Sequence, residues 1–235
     1  MARMPRLVRA GLPHQILQAG HNGQALVIDD EDRRTWRALL SEVARVHEVS
    51  VHAWVLLDDR FHLVATPARE PALSRMMQDF GRRYVGYFNR RHSRTGTLWN
   101  GRFRAGLIEP GSRLLEVMQV VETRAQPALN LEDPRDWPWS SLTHHVGGTS
   151  DALITEPPAF WAEGNTPFDR EAAYRSRIEQ GLDSATVAGI LACARRGLPW
   201  GSVDFVRELE AQEGRSLKPR PRGRPRKAAD PSPQV

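Results

Sequence analysis

Cysteine is nearly absent from the 235-residue chain: Cys193 stands alone. That excludes a disulfide framework and an all-thiolate zinc site. Long apolar runs are missing too. Nowhere do ~18 apolar residues follow one another, so no segment is expected to span a membrane. The basic N-terminus MARMPRLVRAGLPHQ has no apolar stretch behind it and does not read as a secretory signal. Internal repeats are lacking. The expectation is one substantial domain with an appendage, in a reducing, cytoplasmic setting.

Acidic residues are missing from one stretch. From Arg215 to Lys227 there are seven basic residues and no acid, and only Asp230 follows. Taking these from the totals of 33 basic and 28 acidic residues leaves 26 against 27 in residues 1–213, a net of about −1. The formal charge of +5 therefore belongs to the tail, which points to a polyanionic partner reached by the tail first.

Hydrophobic spacing orders the rest. Residues 13–20 read as a strand. Asp29–His47 reads as a helix, with the acids of DDED as cap and first turn and Trp36, Leu39, Leu40, Val43 and Val46 at helical spacing. Residues 50–57 and 60–65 form a hairpin about Asp58-Asp59. Residues 72–92 carry the strongest helical stripe, 102–109 a further strand, and 112–125 a helix opened by a Ser cap. This order predicts an α+β fold: a ferredoxin-like antiparallel sheet with helices on one face, followed by a small helical region and a disordered basic tail. The expected divisions are a domain over 1–145, an irregular linker over 146–167, short helices within 168–213, and the tail over 214–235.

The tail contains PRPRGRPRK, whose core Arg222-Gly223-Arg224-Pro225-Arg226 resembles an AT-hook. Gly and Pro keep the backbone thin and extended, which suits the narrow minor groove of A·T-rich DNA. Arginines then enter the enhanced negative potential there. The alternative is a basic tail that binds any polyanion by counterion release.

Four stretches together resemble the REP-associated tyrosine transposases, single-tyrosine members of the HUH group of single-strand DNA nucleases. They are SVHAWVLLDDRFHLVATP (50–67), ALSRMMQDFGRRYVGYFNRRHSRTGTLWNGRFRAGLIE (72–109), LLEVMQVVETRAQPALNLEDPRDWPWSS (114–141) and the tail. The resemblance implies a ferredoxin-like domain whose central strand carries His-hydrophobic-His. It also implies a tyrosine on a following helix that attacks a DNA phosphate, with a divalent metal held by the two histidines and a polar residue one turn after the tyrosine. Such spacings are chemically sensible, because i and i+2 share a strand face and i and i+4 share a helix face.

Residue by residue, this chain departs from that pattern. Arg60 stands at the first histidine position and His62 at the second. Val120 stands at the tyrosine position, Arg124 at the polar-ligand position and Ala125 at the proline after it. A guanidinium cannot ligate a cation, and valine has no nucleophilic atom. The family's basic stretch at a strand end reads Ala19-Gly20-His21-Asn22-Gly23, without its two arginines. No metal site and no cofactor are expected. Val120 lies about 60° outside the apolar stripe of its helix at 100° per residue, so it reads as the remains of a site and not as a packing position.

The DNA-facing candidates are Arg82, Arg83, Arg90, Arg91, Arg94 and Arg102, read either as a solvated helix face or as a phosphate-contacting strip. Phe88, Trp99 and Phe103 nearby read as base-stacking or core residues. His62 is expected to face solvent, Tyr84 and Tyr87 to pack in the core, and His144-His145 to lie on a surface loop without metal. The expected function is a DNA-binding, transposase-like protein of the nucleoid that recognises hairpin or A·T-rich DNA without cutting it. An active nuclease using other residues and a decayed copy without a role stand as alternatives.

Overall fold

The computed structural model describes residues 6–217. The AT-hook-like string therefore lies outside the described residues. The chain runs β1 (His14–Ala19), α1 (Asp30–Val46), β2 (Val49–Leu56), β3 (Arg60–Pro67), α2 (Glu70–Arg91), β4 (Arg104–Leu107), α3 (Ser112–Glu122) and α4 (Ala125–Leu129). The short helices α5 (Leu142–His145) and α6 (Pro158–Trp161) follow, then α7 (Pro167–Gln180), α8 (Ser184–Arg196) and α9 (Val203–Glu213). The four strands form one antiparallel sheet in the order β2-β3-β1-β4, the ferredoxin-like arrangement that the order of elements predicts.

Local chemistry accounts for the element ends. Asp29 caps α1 by accepting from the amides of Glu31 and Asp32. The expected Ser cap of α3 is displaced by one residue: Gly111 occupies the cap with φ 86° and Ser112 is already helical. Thr166 and Asp169 close a reciprocal capping box on α7. Gly20 follows β1 because a Cβ there would stand 2.0 Å from the Gln24 carbonyl oxygen.

Alternation along the strands divides the core in two. On one face Ile16, Trp54, Phe61 and Leu63 pack against α1 and α2, with Trp36 at the centre and its ring 5.1 Å from Phe61 and 5.8 Å from Phe80. Fully burying a side chain of this class stabilises by ~1.5–3 kcal/mol. The other face is covered as well. Ala53, Val55 and Val64 pack under α3, and the later helices fold back over it, with Tyr174 of α7 and Ile190 of α8 in the same cluster. Gly106 lets the segment after α8 approach β4, since a Cβ there would meet the Leu198 carbonyl oxygen at 2.1 Å. The outer strands are met by the chain itself. Trp139, Ser141 and Thr155 bond to β2, and Trp200 bonds to Leu107 and Glu109 at the end of β4.

Candidate nucleic-acid interface

Strand β3 sets Arg60 and His62 on the face opposite Phe61 and Leu63, toward α3. The sheet register places Ala19 beside Arg60, Leu17 beside His62, and Arg104 on the far side of Leu17. Helix α3 lies across this face. Its last turn tightens, the Arg124 amide bonding to the Val121 carbonyl at 3.2 Å, and Arg124 stands between α3 and α4. Helix α8, packed on the same side, brings Arg195 in its last turn.

The four side chains share one electrostatic environment. His62 is buried, contrary to the expectation of a solvent-facing residue, because α3 and α8 cover that end of the strand. Burial first, then the Arg124, Arg60 and Arg195 guanidiniums, lower its pKa to about 3, so it is neutral at pH 7. Its Nδ1 has no hydrogen-bond partner among the described residues. Arg60 is held by Asp59 through contacts of 2.9 and 2.5 Å. Half-buried Arg124 has its pKa lowered, chiefly by burial and then by Arg60 and Arg195. Its side chain has no partner among the described residues, and neither has that of the exposed Arg195. A neutral histidine among three guanidiniums, beside a carboxylate already engaged by one of them, does not suit a divalent cation. Among the described residues no group of three or more His, Cys, Asp or Glu side chains is placed to hold a metal ion.

Val120 corrects the sequence reading. It is 4% exposed and belongs to the core cluster under α3, not to a vacated surface. Beside it a cleft of about 380 Å³ opens between α3–α4 and the turn from α7 to α8. Val120, Thr123 and Arg124 line one wall, and Leu182, Val187 and Leu191 the other.

The arginines of α2 and the following loop are mostly committed. Arg82 pairs with Asp79 at 3.0 Å, and Arg83 makes two contacts with Glu42 at 3.0 and 2.6 Å. Arg91 reaches Asp29, Glu31 and the buried Asp32, which fastens α2 to the start of α1. Arg94 donates to Gln24 Oε1 at 2.6 Å and lies over the Phe88 ring at 5.5 Å. Arg90 and Arg102 are exposed and without partners among the described residues. Of the aromatics, Phe88 is core and Trp99 is half-buried against Phe61, Phe80 and Tyr84. The Phe103 ring is faced by the Arg6 guanidinium at 3.7 Å. Trp99, Phe103, Arg82 and Arg102 border a groove of about 600 Å³.

The tyrosines that could replace the missing nucleophile are engaged. Tyr84 donates to the Leu26 carbonyl at 2.7 Å within the core, and Tyr87 donates to Asp32 at 3.1 Å. His144 and His145 are not on a surface loop: they form the end of α5, and His145 is fully buried. Its Nδ1 meets Glu122 Oε1 at 2.7 Å, Tyr174 donates to Glu122 Oε2 at 2.6 Å, and Ser141 also donates to this carboxylate. Sequence reasoning missed Glu122, although an acid within the apolar run EVMQVVE was a visible signal.

No known family model and no curated protein matches the sequence. Solved structures do. One is a REP-associated tyrosine transposase bound to a REP hairpin, with a TM-score of 0.55 and 15% identity over 68% of this chain and 93% of that one. Another is a Deinococcus radiodurans R1 protein assigned as a transposase and solved at 1.90 Å, with a TM-score of 0.36 and 18% identity over 56% of this chain and 96% of that one. At such identity the first likeness is one of fold: the chain is structurally related to the REP-associated tyrosine transposase.

Proposed function

We propose that the chain is a DNA-binding, transposase-like protein that holds DNA without cutting it. The observation that carries this reading is the corner of β3 and α3. The positions that the resemblance assigns to metal and nucleophile lie on β3, on α3 and just after it, and they hold Arg60, His62, Val120 and Arg124. Val120 has no atom to attack a phosphate and is enclosed by the core. The guanidiniums would repel a divalent ion and attract a phosphodiester instead. No cofactor is required. DNA as the partner class is supported by the unpartnered Arg90 and Arg102 and by the basic sequence from Arg215 onward. It is further supported by the related transposase having been solved on a hairpin. The expected targets are hairpin-bearing single strands and A·T-rich duplex, the latter read by Arg222, Gly223, Arg224, Pro225 and Arg226. The expected location is the nucleoid. No helix of the described residues is long and apolar enough to cross a membrane.

The test is incubation with labelled hairpin-bearing single strands and Mg²⁺ or Mn²⁺. Retarded but uncut DNA is expected. A covalent adduct, in particular one mapped to Tyr84 or Tyr87, would overturn the reading. Neither tyrosine is poised for attack, since burial raises the pKa of both hydroxyls.

A further inference from the structure

We propose that the groove between α2 and the loop before β4 binds a small amphipathic anion, a planar aromatic body carrying one acidic group. The proposal goes beyond the DNA-binding reading and does not depend on it.

Helix and loop build the groove together. Ser74, Met77, Gln78, Gly81, Arg82 and Val85 recur at helical spacing and present one face of α2 to it. Glycine inside a helix lowers its stability, and Gly81 sits where a Cβ would stand 3.2 Å from Trp99 Nε1. The missing side chain lets the Trp99 ring lie against α2 as a wall of the groove, its indole donating to the Gly81 carbonyl at 3.4 Å. The apolar lining is Phe61, Met77, Phe80, Val85, Trp99 and Phe103, around a volume of about 600 Å³. That is the size and character of a small-molecule site. Phe61 and Phe80 have their centroids 5.8 Å apart, and Trp99 stands 6.1 and 6.2 Å from them. A further planar ring extends such a cluster by edge or offset contact.

Charge settles the other half of the ligand. Arg6, Arg82 and Arg102 line the groove, and among the described residues no acid does. Arg6 is fixed there, its Nε donating to the Phe103 carbonyl at 3.0 Å and its guanidinium facing the Phe103 ring at 3.7 Å. Arg102 is exposed and makes no hydrogen bond or ion pair with a described residue. The exposed Arg82 pairs with Asp79 at 3.0 Å, and Asp79 is shared with His47 at 3.3 Å. Exposed pairs of this kind are weak, so Arg82 can turn to a ligand. A cation would be repelled by three guanidiniums. A neutral apolar molecule would gain nothing from them, and a small hydrated anion would leave the aromatic walls wet. An aromatic acid satisfies both halves at once. The Gln18 amide nitrogen is already engaged by the Gly101 and Ala19 carbonyls at 3.3 and 3.4 Å, so it is not offered to the polar edge of a nucleobase.

The probe is 8-anilinonaphthalene-1-sulfonate, an aromatic anion whose fluorescence rises in apolar surroundings, titrated into the full chain at constant ionic strength. A saturable enhancement is expected. Arg102→Glu and Ser74→Glu each place a carboxylate at the groove and should weaken the dye about tenfold or more. Arg34→Glu makes the same charge change as Arg102→Glu at an exposed position of α1 outside the groove, and should leave the affinity unaltered. All three variants keep the basic sequence from Arg215 onward, so dye held there cancels in the comparison. Neither Ser74 nor Arg102 makes a side-chain hydrogen bond to a described residue, so both variants should melt with the parent; if one does not, the other carries the comparison. The proposal is refuted by a parent without saturable enhancement, by unchanged affinity in the groove variants, or by an equal loss in Arg34→Glu. Displacement is the last arm. Added 1-naphthoate should release the dye, and a single-stranded hexanucleotide should not. Release by the hexanucleotide at comparable concentration, lost in the groove variants, would assign the groove to nucleobases and overturn the proposal.

Discussion

Removing one oxygen atom from Tyr174 should destabilise the fold out of proportion to its size. Tyr174 is fully buried, and its hydroxyl donates to Glu122 Oε2 at 2.6 Å. The Glu122 carboxylate is buried too, and its other oxygen accepts from His145 and Ser141. Burial, together with the same contact, holds the tyrosine pKa well above its ordinary value. Tyr174→Phe keeps the ring and its packing against Phe160 and His145 but leaves Glu122 Oε2 without a donor. A hydrogen bond to a charged group contributes ~1.5–3 kcal/mol, and the stranded oxygen cannot recover it from water at this depth. For a chain of this size ~2 kcal/mol corresponds to about 4–8 °C in melting temperature. Urea denaturation of parent and variant, with the slope checked for constancy, measures the difference directly. In a double-mutant cycle with Glu122→Gln the tyrosine effect should shrink, because the amide presents a different partner. A Tyr174→Phe cost below ~0.5 kcal/mol would refute the reasoning, since ordinary surface substitutions reach that value.

Three further outcomes are expected. Stability should fall as pH drops below ~6.5, because unfolded histidine binds a proton there while His62 and His14 do so only near pH 3 and pH 4. Each should remove about 2 kcal/mol by pH 5. His62→Gln should reduce the slope of stability against pH over that window, and an unchanged slope would place the effect elsewhere. Val120→Tyr should cost ~1–3 kcal/mol by overpacking against Val187 and Leu191, and should yield no nicking in a hairpin cleavage assay. Truncation after Leu217 removes Lys218, Arg220, Arg222, Arg224, Arg226 and Lys227 and should flatten the salt dependence of duplex binding by several units, at ~0.9 per phosphate contact. Unchanged duplex affinity in an anisotropy titration would assign recognition to Arg90 and Arg102. The cut belongs after Leu217 because Leu217 packs with Leu7, Leu107 and Leu209.

The first two helices were legible because each has one apolar face and one wet face, and the strands because short apolar runs between turn residues mark them. Trp36, Leu40 and Val43 on α1 and Leu73, Met76, Phe80 and Tyr84 on α2 repeat at helical spacing and are buried as that spacing predicts. The second layer was harder to read. Helix α3 is enclosed between the sheet and the helices α7 and α8, and every residue from Val117 to Glu122 is buried. A stripe argument presumes a wet side, so it misplaced Val120. The run Val117–Val121, apolar nearly all round, carried the correct signal. His62 was misread for the same reason, since its cover comes from residues more than fifty positions away. The resemblance drew attention to the corner of β3 and α3. It could not supply Arg195, which α8 contributes from a region with no motif of its own. The arginine strip shows the opposite failure: composition counted six cations, but Asp79, Glu42, Asp29 and Asp32 had already taken partners among them.

The treatment of the sheet's outer strands governs how copies of this chain can associate. An open edge is a template on which another chain can continue the hydrogen-bonded ladder, whether as a dimer or as an aggregate. Here the Trp139–Ser141 segment and Thr155 occupy β2, and Trp200 closes the end of the four-residue β4. Sheet continuation between two copies would have to expel Trp200, together with the Trp137 and Trp139 segment that lies on Leu56 and beneath Arg33. Any pairing of copies must therefore be built from helix faces and loops. Concentrated solutions should resist cross-β association for as long as these tryptophan segments stay docked.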